Sequence, residues 1–95
     1  MYISIRRYKT NRAAELTRKV KEEFVALISK APGFVAYYGI EAGTDTWASI
    51  SIFDTQAQAE ESNRLAADWV KKNVASLVAG TPEVTAGNAV VQKTK

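Results

Sequence analysis

The chain opens with an alternation. In "YISIRRY" (residues 2–8), Ile3 and Ile5 share one side of an extended segment while Tyr2, Ser4, Arg6 and Tyr8 share the other, which predicts a strand. The period then changes from two to 3.6. Ala13, Leu16, Val20, Phe24, Leu27 and Ile28 fall on one helical stripe, and Glu15, Arg18, Lys19 and Glu22 lie largely off it. Asn11 is placed to cap that helix and "APG" (31–33) to end it. "FVAYYGIEA" (34–42) and "TWASISIF" (46–53) are two more strands, and the short "GTD" between them predicts a hairpin. Thr55 and Gln58 form a capping box, with Asp54 as a competing cap, for a second helix running to about Val78, where Gly80 and Pro82 stop it. "EVTAGNAVVQ" (83–92) supplies a last strand, with a bulge expected at Gly87.

The order β-α-β-β-α-β predicts an α+β, ferredoxin-like fold: one domain over residues 1–95, with two helices covering one face of a four-stranded antiparallel sheet. The other face raises a problem. Alternation places Phe34, Tyr38, Ile40, Ile50 and Ile52 on one side of the hairpin and Val35, Tyr37, Trp47 and Phe53 on the other. A two-layer monomer leaves one of those rows in water, and apolar patches of that size mark interfaces. The expected partner is a second copy of the chain, in a homodimer packed sheet to sheet.

Composition narrows the chemistry. With 46% hydrophobic and 24% charged residues the chain is globular in type, not disordered. No apolar run approaches the roughly 18 residues of a membrane span and the N-terminus has no signal-peptide core, so a cytoplasmic protein without membrane contact is expected. There is no cysteine and no histidine. Disulfides, thiolate chemistry and the commonest general base are therefore excluded, and no metal or haem cofactor is expected. The net charge of +3 is uneven, with eight Lys/Arg against three Glu in residues 1–30. A basic end attracts anions, but the strands lack the basic-aromatic motif of an RNA-binding sheet, so no nucleic-acid partner is expected.

The segment "APGFVAYYGIEAG", the strand "ASISIFD" and the helix "AEESNRLAADWV" resemble the antibiotic biosynthesis monooxygenase-like family of dimeric α/β barrels. The likeness extends over almost the whole chain in the order and length of its elements. It implies a pocket between sheet and helices, and in the oxygenase branches an asparagine and a tryptophan that hold an aromatic or polyketide-like substrate. There the substrate itself supplies the electrons to dioxygen, so no cofactor is implied. Phe53 stands where a tryptophan is usual before the second helix, and the missing histidines remove the haem-degrading branch.

On a helical wheel Asn63 falls within the arc of Ala59, Ala66, Val70, Val74 and Leu77. It either satisfies the scaffold or contacts a ligand. Trp69, at the edge of the stripe, is either core rim or an aromatic wall. Tyr37 and Tyr38 point to opposite sheet faces, so only one can face the helices, as a hydrogen-bond donor. Arg6 and Arg7 are opposed in the same way; one of them could fix an anionic or enolate oxygen, or pair with a glutamate such as Glu41. A ligand role for Asn63 and Trp69 calls for a cavity of a few hundred Å³ beside them. A non-catalytic dimeric ligand-binding or regulatory domain is the competing expectation, because no paired-carboxylate or histidine constellation is present.

Overall fold

A computed structural model describes residues 1–95. Strand β1 (Tyr2–Lys9) leads into helix α1 (Ala13–Lys19), a π-helical turn (Val20–Phe24) and helix α2 (Val25–Ile28), which together form the first helical layer. The hairpin of β2 (Phe34–Glu41) and β3 (Thr46–Phe53) follows, then α3 (Gln56–Asn73), a 3-10 turn (Ala75–Leu77) and β4 (Ala79–Asn88). The sheet is antiparallel throughout in the order β2-β3-β1-β4, the ferredoxin-like arrangement. Helix α3 packs on β1 and β3, so the helices roof one face of the sheet.

The π turn has a cause in the sequence. The buried residues of the first helical layer are Leu16, Val20, Phe24 and Ile28, spaced by four. In a regular α-helix a four-residue step overshoots a full turn by about 40°, so the row would spiral off the core within three steps. A π turn is wider, each residue turns through less, and the row is pulled back onto the sheet.

Several boundaries differ from expectation. Asn11 does not cap the first helix: Arg12 is its N-cap residue and no side chain caps it, while Thr10 Oγ1 holds the approach by accepting from the Arg12 amide at 3.0 Å and donating to the Leu77 carbonyl at 2.5 Å. Thr55 caps α3 as expected, accepting from the Gln58 amide at 3.2 Å, but the Gln58 side chain does not reciprocate and its Oε1 has no partner. Helix α3 stops at Asn73 because Val74 leaves helical geometry (φ −134°, ψ 19°), and Gly80 and Pro82 lie within β4 instead of ending a helix. Proline is tolerated there because β4 is an edge strand. Arg7 faces Glu83 and Lys9 faces Ala79, so the bulge falls at residues 80–82, where Gly80 takes φ +69°; Gly87 pairs regularly with Ile3. A second irregularity between Phe34 and Ala36 moves Phe34 off the row of Tyr38 and Ile40 and onto Phe53, with ring centroids 5.9 Å apart.

The faces of the sheet are inverted relative to simple polarity. Ser4, Arg6 and Tyr8 of β1, and Trp47, Ser49, Ser51 and Phe53 of β3, are buried, whereas Ile3, Ile5, Ile50 and Ile52 are only half-buried. On the same open side Tyr38 is 58% and Ile40 46% exposed. The sheet turns its more polar rows toward the helices and its isoleucines outward. Burying a serine or arginine in place of an isoleucine costs free energy unless each polar group is satisfied, so on this face Tyr8, Trp47 and Phe53 pack in the core while Ser4 and Arg6 need polar partners.

Candidate functional site

The inward polar row and α3 meet around Asn63. Its Oδ1 accepts from Ser4 Oγ at 2.9 Å and from Arg6 Nη1 at 2.5 Å. Arg6 Nε donates to the Tyr8 hydroxyl at 3.2 Å. Arg6 is 3% exposed, and no carboxylate pairs with it. A guanidinium stays charged in any protein environment, so this is a buried positive charge held by neutral acceptors alone. The Asn63 amide nitrogen makes no hydrogen bond within the chain.

An open cleft of about 400 Å³ lies over this group, between α3, β1 and β4. Arg6, Tyr8 and Asn63 supply its polar wall; Ala67, Val70 and Val84 supply part of its apolar wall. No aspartate, glutamate or histidine lines it, and Lys71 adds a second positive charge. Beneath, between sheet and helices, is a much smaller space of about 20 Å³ bounded by Trp69, Tyr37, Phe24 and Leu16, among others. The two spaces share Arg6, Tyr8, Val70 and Val78 as walls. A larger groove of about 460 Å³ runs between Leu27 and Leu65 on the helical side, but no buried charge faces it.

The sequence candidates are thus divided. Arg6 and Asn63 come together in the cleft, and Arg7 lies on the opposite face beside Glu83, at 3.4 Å. Glu41, a candidate partner for arginine, accepts from Thr17 Oγ1 instead, which in turn accepts from the Trp47 indole at 2.9 Å. Trp69 is buried and packs on Phe24 (centroids 5.1 Å), where it bounds the small inner space and not the cleft. The cavity of a few hundred Å³ therefore adjoins Asn63 but not Trp69, because six helical residues rotate the two side chains about 120° apart. Tyr37 faces the helices, edge-on to Phe24 at 5.5 Å, and Tyr38 is on the open sheet face, away from the other candidates.

Burial pushes the Tyr37 phenol up to about 12, against the opposing pull of the Arg6 charge and the Ser49 hydroxyl. The Ser49 hydroxyl lies outside hydrogen-bond geometry and, like that of Ser51, has no partner. Tyr37 is accordingly a neutral phenol at physiological pH. Tyr8 and Ser4 carry no role in the sequence reading. Their signal was the parity of β1: any arginine buried at position 6 carries residues 4 and 8 with it to the same face.

No protein-family model matches the chain, and no curated protein matches it. Among solved structures the fold recurs over nearly full length. A Bordetella bronchiseptica protein provisionally described as an antibiotic biosynthesis monooxygenase is 18% identical, with TM-score 0.78, covering 95% of this chain and 97% of that one. SnoaB, a cofactor-independent oxygenase from Streptomyces nogalater, is 13% identical with TM-score 0.76, covering 99% and 97%. The ActVA-Orf6 monooxygenase of Streptomyces coelicolor, in complex with nanaomycin D, is 10% identical with TM-score 0.73, covering 98% and 92%. The chain therefore has the ferredoxin-like fold of the antibiotic biosynthesis monooxygenase structures, as its sequence resemblance implies.

Proposed function

We propose that this protein is a cofactor-independent, monooxygenase-like enzyme acting on an aromatic or polyketide-like small molecule, as a cytoplasmic homodimer. The observation that carries the reading is Arg6, a buried charge with no counter-ion on the wall of an open cleft. Leaving such a charge unpaired is costly, and an ionised ligand oxygen would relieve the cost. Arg6 would bind the enolate or phenolate form of the substrate and lower its pKa, since a nearby positive charge favours the anion. That removes the need for a strong protein base, which the cleft lacks. Asn63, through its free amide N–H groups, and Tyr8, through its hydroxyl, would orient the ring system. Trp69 and Tyr37 would support that wall from behind.

The chemistry then belongs to substrate and dioxygen. The bound carbanion, formed by loss of one proton from a ring CH2, gives one electron to O2. The resulting radical and superoxide combine at carbon, protonation gives a hydroperoxide, and loss of water leaves a ketone. One oxygen atom enters product, the other enters water, and all four electrons come from the substrate. The outward isoleucines support the homodimer, because a face of that kind is stable in water only when covered.

A second reading is a non-catalytic dimeric domain that binds or senses an anionic small molecule. The absence of any carboxylate or histidine from the cleft favours it. Oxygen uptake separates the two. With a panel of hydroxylated tricyclic aromatics bearing an acidic CH2, the enzyme reading expects one O2 consumed per ketone formed, and loss of that activity in Arg6→Met. Saturable binding of the same compounds without oxygen uptake would establish the binding domain instead.

A further inference from the structure

We infer that the cleft takes only ligands whose bound edge carries hydrogen-bond acceptors, because its own polar side chains all present donors. The ligand class is an aromatic anion with a second, unprotonated oxygen beside the first, as in the enolate of a 1,3-dicarbonyl. The inference rests on the proposed reading of the site for the aromatic body. The selection of acceptors rests on hydrogen bonds within the chain.

A carboxamide can present either its oxygen or its nitrogen, so an asparagine ordinarily serves donors and acceptors alike. Asn63 has lost that freedom. The Arg6 guanidinium has only donors, so the amide atom 2.5 Å from its Nη1 is the oxygen. Ser4 Oγ, fully buried, donates to the same oxygen at 2.9 Å. Turning the amide over would set its N–H groups against the guanidinium. The nitrogen, which makes no hydrogen bond within the chain, is left to donate to a ligand.

The other polar side chains of the cleft agree. The Tyr8 oxygen already accepts from Arg6 Nε at 3.2 Å, leaving its O–H to donate. Lys71 is the one cation of α3 outside an ion pair, since Arg64 pairs with Glu61 and Lys72 with Asp68. An ammonium, like a guanidinium, can only donate. No side chain facing the cleft is left with a free acceptor. A ligand that brings its own N–H to this edge would bury it against donors, unpaired on both sides, at a loss of about ten- to hundredfold in affinity.

Benzofuran-2-carboxylate and indole-2-carboxylate separate acceptor from donor at equal charge and nearly equal shape. The atom beside the carboxylate is a ring oxygen in the first and a ring N–H in the second. Titration calorimetry with the wild-type protein should show the benzofuran binding about tenfold or more tighter. Asn63→Asp puts an acceptor where the amide N–H groups stood, so the ratio should turn in favour of the indole. Repulsion between the two carboxylates is the same for both probes and cancels in the ratio. Equal affinities in the wild type, binding of neither probe, or an unchanged ratio in Asn63→Asp would overturn the inference. Should the variant fail to fold, NMR of the wild-type Asn63 side-chain amide gives a second test. Saturation with benzofuran-2-carboxylate should move its proton resonances downfield, and unmoved resonances would overturn the inference as well. The oxygenase reading fails separately: selectivity without oxygen uptake from any aromatic keeps the donor-only cleft and discards the enzyme, and oxygen uptake without selectivity does the reverse.

Discussion

Replacing Asn63 by aspartate tests whether Arg6 is a charge held in reserve. The change is nearly isosteric, and both donors that reach Oδ1, Ser4 Oγ and Arg6 Nη1, would find a carboxylate oxygen in the same place. A neutral hydrogen bond contributes about 1 kcal/mol and a charge-assisted one about 1.5–3 kcal/mol. Partial desolvation of the new carboxylate offsets some of that difference, which leaves a net gain of about 1 kcal/mol. For a domain of this size the melting temperature should rise by about 4–8 °C.

The pH dependence fixes the cause. The arginine holds the introduced carboxyl below the usual aspartate value of about 3.9, so the unfolded state binds more protons than the folded one between the two values. The gain is then fully present above about pH 4 and is lost as pH falls through the folded value. Thermal melts of wild type and Asn63→Asp from neutral to acid pH measure this directly. The same carboxylate should lower affinity for an anionic aromatic probe about tenfold or more, one factor of ten being about 1.4 kcal/mol. Asn63→Leu is the opposite perturbation: it strands both donors and should destabilise by about 1–3 kcal/mol. An aspartate variant that melts earlier than wild type at neutral pH, with an unchanged acid profile, would refute the idea that Arg6 lacks an anion.

Three further outcomes are expected. Ile50→Lys, on the open sheet face, should sediment as a folded monomer while the wild type sediments as the proposed homodimer, because it places a charge in the centre of the apolar row; a monomeric wild type would refute the sheet-to-sheet pairing. Since burial raises Tyr37 to about 12 from an unfolded value of 10.0, its contribution is complete below pH 10 and is lost as pH rises through the folded value. Denaturant midpoints above pH 10 should therefore fall more steeply for wild type than for Tyr37→Phe, by up to roughly 3 kcal/mol at the alkaline limit. Gly39→Ala should destabilise by about 1–3 kcal/mol in urea melts, because the added Cβ would lie 2.6 Å from the Trp47 indole ring.

The order of elements was legible because it depends on period, and the four changes of period along the chain are clean. The faces were harder to read. Alternation showed that Ile3 and Ile5 oppose Ser4, Arg6 and Tyr8 but not which set the helices cover, and local polarity favours the wrong one. The displacement of Phe34 and the bulge at residues 80–82 depend on register between strands, which no local pattern encodes. In the site, Asn63 and Arg6 could each be named from their own elements. Their contact joins residues 57 apart in the chain, and without it neither the unpaired charge nor the contribution of Tyr8 could be seen. Trp69 was grouped with Asn63 by proximity in sequence, whereas the helix separates them by rotation.

The π turn at Val20–Phe24 bears on which changes of chain length the protein can survive. Its wide turn holds one more residue than an α-helical turn would, so removing Lys21 or Glu22 could restore regular helix locally. The buried row would then be spaced by four, three and four residues, which stays within about 60° on a regular α-helix, so Leu16, Val20, Phe24 and Ile28 would all keep facing the sheet. Helices usually accept a shortened sequence more readily than an altered core. Here the shortening spares the core, and a one-residue deletion within Val20–Phe24 should be tolerated where the same deletion elsewhere in the helical layer would act as a core mutation.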